Sequence, residues 1–299
     1  MTTIPSLLEK SPYILADGAM GTMLFASGLE QGGAPELWNV EQPERVAAVH
    51  RAYLEAGAQL LLTNTFGGNR HRLTLHKLQG RVAELNRAAV KILRDVVDAS
   101  GVEALVAGDI GPSGGVLLPY GTMTYEEAVD GFAEQAAALV EGGADLLWIE
   151  TMADLEEVRA AVEGVRRISV DIPVITTMTF DTHGRTMMGV KPEDAATTLS
   201  SYGAVAVGGN CGNGVEEIIS VVGKMHAVEP EAILVAKANA GIPKLVGGQA
   251  VYAATPQDMA DYAVKAFAAG ARVIGGCCGS TPAHIQAIST ALASQVVAG

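Results

Sequence analysis

Arg272-Val-Ile-Gly-Gly-Cys-Cys-Gly279 and Val207-Gly-Gly-Asn-Cys-Gly212 follow one pattern: an apolar run, two glycines, then cysteine and glycine. An uninterrupted apolar run reads as a strand covered on both faces. Glycines at its end leave room for close backbone approach, because they carry no Cβ. The two stretches hold all three cysteines of the chain, Cys211, Cys277 and Cys278. Spacing alone is a weak metal signal, since no C-x-x-C pair is present and a single cysteine after a strand is most often a small buried hydrophobe. The fold decides between these readings. Should the two strand ends meet in space, three thiolates face one point. Catalytic zinc is held that way, with three protein ligands and an open position, and sulfur selects zinc over magnesium or calcium.

Working outward, short apolar runs alternate with helical patterns along the chain. Strands are expected near 13–17, 59–64, 104–109, 145–150, 173–179, 204–210, 232–238 and 272–277. Between them lie helical faces such as Val46, Val49, Tyr53 and Ala56, or Val82, Leu85, Ala89, Ile92 and Val96. Thr124 with Glu127 and Asp154 with Glu157 read as capping boxes. Thr255-Pro256 and Thr281-Pro282 read as helix starts, and recurrent Gly-Ala pairs as helix ends. Eight strands alternating with eight helices predict a single-domain (β/α)8 TIM barrel over residues 1–299. A doubly wound open sheet is the less economical alternative. Two long connections, 111–124 and 240–254, fall on the C-terminal side of their strands and are expected to act as walls or lids of a site.

The polar residues gather at that same end: Asp17, Asn64, Asp109, Glu150, Asn210, Asn239 and the cysteines each close a strand. In a barrel they converge on one mouth. Strands 6 and 8 flank strand 7, so Cys211 and the 277–278 pair face a common point. Each residue also has a plainer reading. Asp17-Gly18 suits a turn, Glu150 suits a helix cap, and Asn64 and Asn239 suit turns. A carboxylate ending as apolar a strand as Leu146–Ile149 needs a partner, for which a ligand ammonium is suitable. His71 and His76 are expected on a solvated face.

A net charge of −13 argues against nucleic-acid or anionic-membrane partners. Apolar residues at 49% exclude a disordered chain. The absence of a signal-type N-terminus and of an apolar run of membrane-span length, with cysteines that fit no disulfide framework, leads to the expectation of a cytoplasmic protein.

The sequence resembles the homocysteine S-methyltransferase family through Asp17-Gly-Ala-Met-Gly-Thr22, Thr63-Asn-Thr-Phe-Gly-Gly-Asn69, Gly208-Gly-Asn-Cys-Gly212 and Gly275-Gly-Cys-Cys-Gly279. The resemblance implies a Zn2+ barrel with Cys211, Cys277 and Cys278 as ligands, a homocysteine thiol activated on the metal, and methyl transfer to give methionine. It also implies substrate contacts at Asp17 and Glu150, with Asn64, Phe66 and Asn239 as further binding residues; Asn239 is a candidate for the fourth zinc position at rest. Residues 180–189 and 120–127 look closer to the cobalamin-dependent branch than to the betaine branch. Lys237-Ala-Asn-Ala-Gly-Ile-Pro243 departs from the family, which commonly has proline before the asparagine. No folate, cobalamin or activation module is apparent in the chain. Homocysteine and a small methyl donor are therefore the expected partners, with a separate corrinoid protein as a further one. The rivals are a homocysteine-activating subunit serving separate corrinoid or folate modules and a non-catalytic zinc or thiol redox sensor. Phe66, Tyr120, Tyr125 and Trp148 are candidates for the donor's side of the pocket.

Overall fold

The computed structural model describes residues 2–246 and 249–298. Eight parallel strands form the barrel: β1 (Ile14–Leu15), β2 (Leu60–Leu62), β3 (Leu105–Ile110), β4 (Leu146–Met152), β5 (Val174–Met178), β6 (Ala206–Cys211), β7 (Leu234–Ala238) and, after a hairpin of β8 (Lys244–Val246) and β9 (Gln249–Val251), β10 (Ala271–Gly276). Their order is β1-β10-β7-β6-β5-β4-β3-β2. A parallel bridge from Ala16 to Leu60 joins the two ends and closes the cylinder. Helices follow each strand as expected, from Pro43–Glu55 after β1 to Pro282–Ala298 after β10. The strand expectations hold to within a few residues at every position. Among the described residues no helix is long and apolar enough to cross a membrane.

Two apolar layers result. The outward-facing strand residues, such as Leu15, Leu61, Val106 and Leu147, meet the helices in one large cluster. The inward-facing ones (Ile14, Leu60, Leu105, Leu146, Trp148, Ile175, Val235 and Val273 among them) fill the barrel interior. Ile4 and Leu7, from an N-terminal helix Ile4–Lys10, join that inner cluster and plug its lower end. The sequence reading has no element there. Thr3 and Ser6 cap that helix reciprocally and proline opens it, so its local signals are real but short.

Caps are as expected at Thr124–Glu127, and Thr255 forms a capping box with Asp258. The second expected box is different. Asp154 caps through the Glu156 amide, while Glu157 turns away to accept from the Ser113 amide at 2.9 Å and the Ser113 hydroxyl at 2.5 Å. A buried loop amide without a partner would be costly, and Glu157 supplies the acceptor. The connection 240–254 carries the β8–β9 hairpin, with Gly247-Gly248 at its tip outside the described residues.

Candidate active site

Side chains alternate along a strand, so the positions that fill the barrel interior continue upward with period two. Above Leu105 and Ala107 comes Asp109, above Leu146 and Trp148 comes Glu150, and above Val235 come Lys237 and Asn239. Cys277 continues Val273 and Gly275, and Asn210 continues Ala206. The floor is apolar and the mouth polar because the same alternation changes residue type near each strand end.

The cysteines use three different devices to face one point. Cys277 arrives by alternation. Cys211 is one residue past Asn210 and would face outward, but its backbone is left-handed (φ 60°) and swings the side chain in. Cys278 lies in a turn closed by the Ser280 amide on the Cys277 carbonyl, 3.1 Å. The Ser280 hydroxyl also donates to that carbonyl at 2.6 Å, and Tyr53 donates to the carbonyls of both Ser280 and Ala19. These bonds stitch the Cys-Cys turn onto residues 17–22. Close approach is needed there: a Cβ on Gly275 would lie 2.8 Å from the Asp17 carbonyl.

All three sulfurs lie within 4.8 Å of one another, and the Cys211 and Cys277 sulfurs are 2.6 Å apart. Zinc–sulfur bonds of ~2.3 Å in a tetrahedron place sulfurs about 3.8 Å apart. The cluster has that scale, with one edge tighter. The cysteines are free. Hydrogen bonds from Cys211 and Cys277 pull the Cys278 thiol down to about 3, with Tyr252 assisting against burial. The Cys211 hydrogen bond also lowers Cys277, but hydrogen bonding to Cys278 and burial leave it pushed up to about 12. Cys211 is pushed well up by hydrogen bonding to Cys277 and Cys278 and by burial. One thiolate between two thiols is what the protein alone sustains. A divalent cation removes that restriction, because a coordinated thiol is deprotonated outright. The donor set therefore fits a thiophilic metal.

Beside the thiols lies a buried ionic cluster. Lys237 donates to Asp17 Oδ1 at 2.8 Å, with both side chains about as buried as the core, while Asp17 Oδ2 accepts from the Leu62 amide at 2.9 Å. The ammonium also stands 5.2 Å above the Trp148 ring. Burial works against the Lys237 charge, yet Asp17, Glu150 and Cys277 together hold its pKa above that of an ordinary lysine. Burial and the neighbouring Cys277 push Glu150 up to about 8, against the pull of Lys237. Asp109 is pushed up by burial and by Glu150, and its buried Oδ1 has no hydrogen-bond partner among the described residues. Three carboxyls thus share one internal cation. Asn210 bridges this cluster to the sulfurs: its Nδ2 donates to Thr151 Oγ1 at 2.6 Å and lies 3.6 Å from Cys211 Sγ. Thr151, like Cys211, has a left-handed backbone (φ 60°), an uncommon state for a β-branched residue.

A cavity of about 700 Å³ opens over these groups and brings together Asp17, Asn64, Phe66, Asp109, Glu150, Lys237 and the three cysteines. Asn64 is held by its amide, which donates to the Pro35 carbonyl and Asn39 Oδ1. Phe66 packs on Gly111, where a Cβ would come within 2.6 Å of its ring. Asn239 stands apart from the cavity wall; its Nδ2 donates to the Gly212 carbonyl, and its buried Oδ1 is unpartnered among the described residues. Of the four aromatic candidates for the donor side only Phe66 lines the cavity. Tyr120 is 83% exposed, Trp148 is in the barrel core, and Tyr125 is engaged by Glu163 on the outer helices. The connection 111–124 likewise contributes no wall, whereas 240–254 contributes Tyr252. His76 is exposed as expected, yet it lines the outer part of the cavity. Asn210 is at the mouth as its strand-end position predicts, whereas Lys237 and Tyr252 are the residues sequence reasoning missed. A lysine at an inward position of an apolar strand was a usable signal; nothing local marked Tyr252.

These features define a (β/α)8 barrel with a three-cysteine cluster, of a kind that could hold a metal, at the C-terminal mouth of its strands, the end where such barrels carry their chemistry. The chain belongs to the homocysteine S-methyltransferase family, whose model matches residues 14–292. It is 35% identical to a methionine synthase of Mycobacterium tuberculosis and 34% identical to that of Mycobacterium leprae, in each case over 94% of this chain. The chain spans about a quarter of the length of those relatives. The metallated homocysteine methyltransferase MmuM of Escherichia coli superposes with a TM-score of 0.80 at 29% identity, covering 95% of this chain and 98% of that one.

Proposed function

We propose that this protein is a zinc-dependent S-methyltransferase that methylates homocysteine to methionine. The observation that carries the reading is the convergence of Cys211, Cys277 and Cys278 beside a buried, carboxylate-rich cluster in one cavity. Zinc held by these three residues would supply the Lewis acidity that keeps a substrate thiol ionised at neutral pH. The unpartnered Oδ1 of Asn239 suits a resting fourth ligand.

The chain's own residues provide recognition and orientation. The substrate ammonium is received by Glu150 and Asp17, with Asp109 Oδ1 as a third acceptor; this adds the positive charge that three carboxyls around one lysine lack. Lys237 opposes the burial that pushes Asp17 up and fixes its carboxyl group through their hydrogen bond. Asn64 and Phe66 form the wall next to the amino-acid end. Held in this way, the homocysteine sulfur attacks the methyl carbon in line. A sulfur–carbon bond forms as the donor's bond to that carbon breaks, and the electron pair leaves with the donor. Orientation of this kind is a major source of effective molarity. Free thiols at the site suit the reducing cytoplasm. A second reading rests on the length of the methionine synthase relatives: in it, this barrel is the homocysteine-activating part of a system whose corrinoid or folate modules lie elsewhere.

Zinc analysis on reduced protein, followed by methionine formation with sulfonium, betaine, folate and corrinoid donors, tests both readings. About one zinc per chain and turnover with a free donor is the expected result. Turnover only after a corrinoid protein is added supports the second reading. Absence of zinc contradicts both.

A further inference from the structure

The cavity is larger than homocysteine requires. Beyond the thiols and carboxyls it extends between the segments that follow β1 and β2, where Phe25, Glu36, Arg72 and His76 line it. Arg72 is unusual in this chain. Its guanidinium has no hydrogen-bond or ion-pair partner among the described residues, whereas every other arginine has a carboxylate or carbonyl partner. An unpaired guanidinium presents several donors in a rigid fork suited to carboxylate or phosphate.

The side chain is also held in place. The Arg72 amide donates to Asn69 Oδ1 at 2.9 Å, which fixes the base of the residue. Gly114, with a left-handed backbone (φ 79°), lies so close that an added Cβ would be 2.9 Å from Arg72 Cδ. The connection 111–124 is thus a brace for Arg72 rather than a wall of the cavity. Glu36 does not neutralise it: that carboxylate accepts from the Gly67 amide at 2.7 Å and feels Arg72 only as a field, outside ion-pair distance. In a chain of net charge −13, a cation left open at the cavity marks the place for an anionic group.

Resting on the methyltransferase reading above, we infer that Arg72 forms the donor subsite, binding a carboxylate or phosphate on the molecule that delivers the methyl group. Homocysteine occupies the inner end by its ammonium and thiol; the donor fills the outer end and is anchored by its anion. Arg72 is then a determinant of donor specificity rather than of homocysteine binding.

The test compares donors with and without the anion in wild type, Arg72→Gln and Arg72→Lys. One pair is dimethylsulfoniopropionate against trimethylsulfonium; the other is methylcobalamin against methylcobinamide, which lacks the nucleotide phosphate. Arg72→Gln is expected to lower kcat/KM for the anionic donor by about ten- to a hundredfold, the range for a hydrogen-bonded charged group. The preference over the truncated partner should collapse, Arg72→Lys should retain part of it, and the KM for homocysteine should hold. The pair that responds identifies carboxylate or phosphate as the source. Equal losses for both members of a pair, or a raised homocysteine KM instead, overturn the inference. A metal-edge shift on adding homocysteine, recorded in the same proteins, separates the two claims. Its presence without turnover from any of these donors overturns the donor subsite alone. Its absence overturns the methyltransferase reading as well.

Discussion

The floor and the mouth of this barrel are built from the same strands, two residues apart, and obey opposite rules. On β4, Trp148 is fully buried in the apolar interior, and Glu150 above it is a carboxyl pushed up to about 8. On β7, Val235 belongs to the inner core and Lys237 to the buried ionic cluster. The floor satisfies its burial with carbon and asks for no ligand. The mouth holds left-handed residues at Thr151 and Cys211, an unpartnered Asp109 oxygen and three thiols that cannot ionise together. Strain and unmet bonding persist where the surrounding packing fixes them, and they collect where function needs them. A rigid floor is what allows the mouth to remain unsatisfied.

Substitutions at the two levels should therefore separate function from stability. The largest effect is expected at Cys277→Ala: metal content and methyl transfer fall to background while circular dichroism and melting stay near wild type. Normal zinc and normal turnover in that variant would erase the distinction. Lys237→Met is the instructive exception, because it leaves the Asp17 carboxyl buried without its partner. A loss of about 3–5 kcal/mol in chemical denaturation is expected, so this mouth residue should act as a structural one; an unchanged midpoint would show that the pair contributes only to substrate recognition.

Leu105→Ala, in the floor, is expected to cost about 3 kcal/mol through lost burial and a residual cavity, with zinc affinity unaltered. A change in zinc affinity there would mean that floor and mouth are coupled. The smallest effect lies outside both levels, in the helix Pro43–Glu55 that packs around the barrel, and is read by pH. His50 is fully buried, neither ring nitrogen has a partner among the described residues, and burial lowers its pKa to about 3. Its folded pKa is depressed, so the stability it permits is complete above the unfolded value near 6.5 and is lost as pH falls toward 3. Between pH 7 and pH 5 the wild type should lose about 2 kcal/mol more than His50→Leu. Equal losses in the two proteins would show that His50 is solvated and takes up its proton in the folded protein as readily as in the unfolded one.

How much of this was legible in the sequence follows the same division. The strands were readable because an interior closed on both faces demands continuous apolar runs, and the strand-end residues were readable because alternation delivers them to one mouth. Cys211, Cys277 and Cys278 could be linked once that topology was assumed. What escaped depends on distant contacts. The plug helix Ile4–Lys10 needs the barrel floor before its apolar face has a purpose. Lys237 looks like a misplaced charge until Asp17, far away in sequence, is brought within 2.8 Å. Tyr120 and Tyr125 are aromatic residues near a long loop, but the loop packs against Arg72 and the helices rather than over the cavity. Glu157 reads as a cap by spacing and is taken instead by Ser113, an unforeseeable neighbour.

The most direct test of the central claim is the zinc K-edge absorption of the reduced protein before and after homocysteine is added. Three cysteine sulfurs and a lighter donor are expected at rest, with a fourth sulfur and a shifted edge on addition, and neither in Cys277→Ala. An edge that does not move, in protein that holds zinc, would contradict substrate thiol activation at this site.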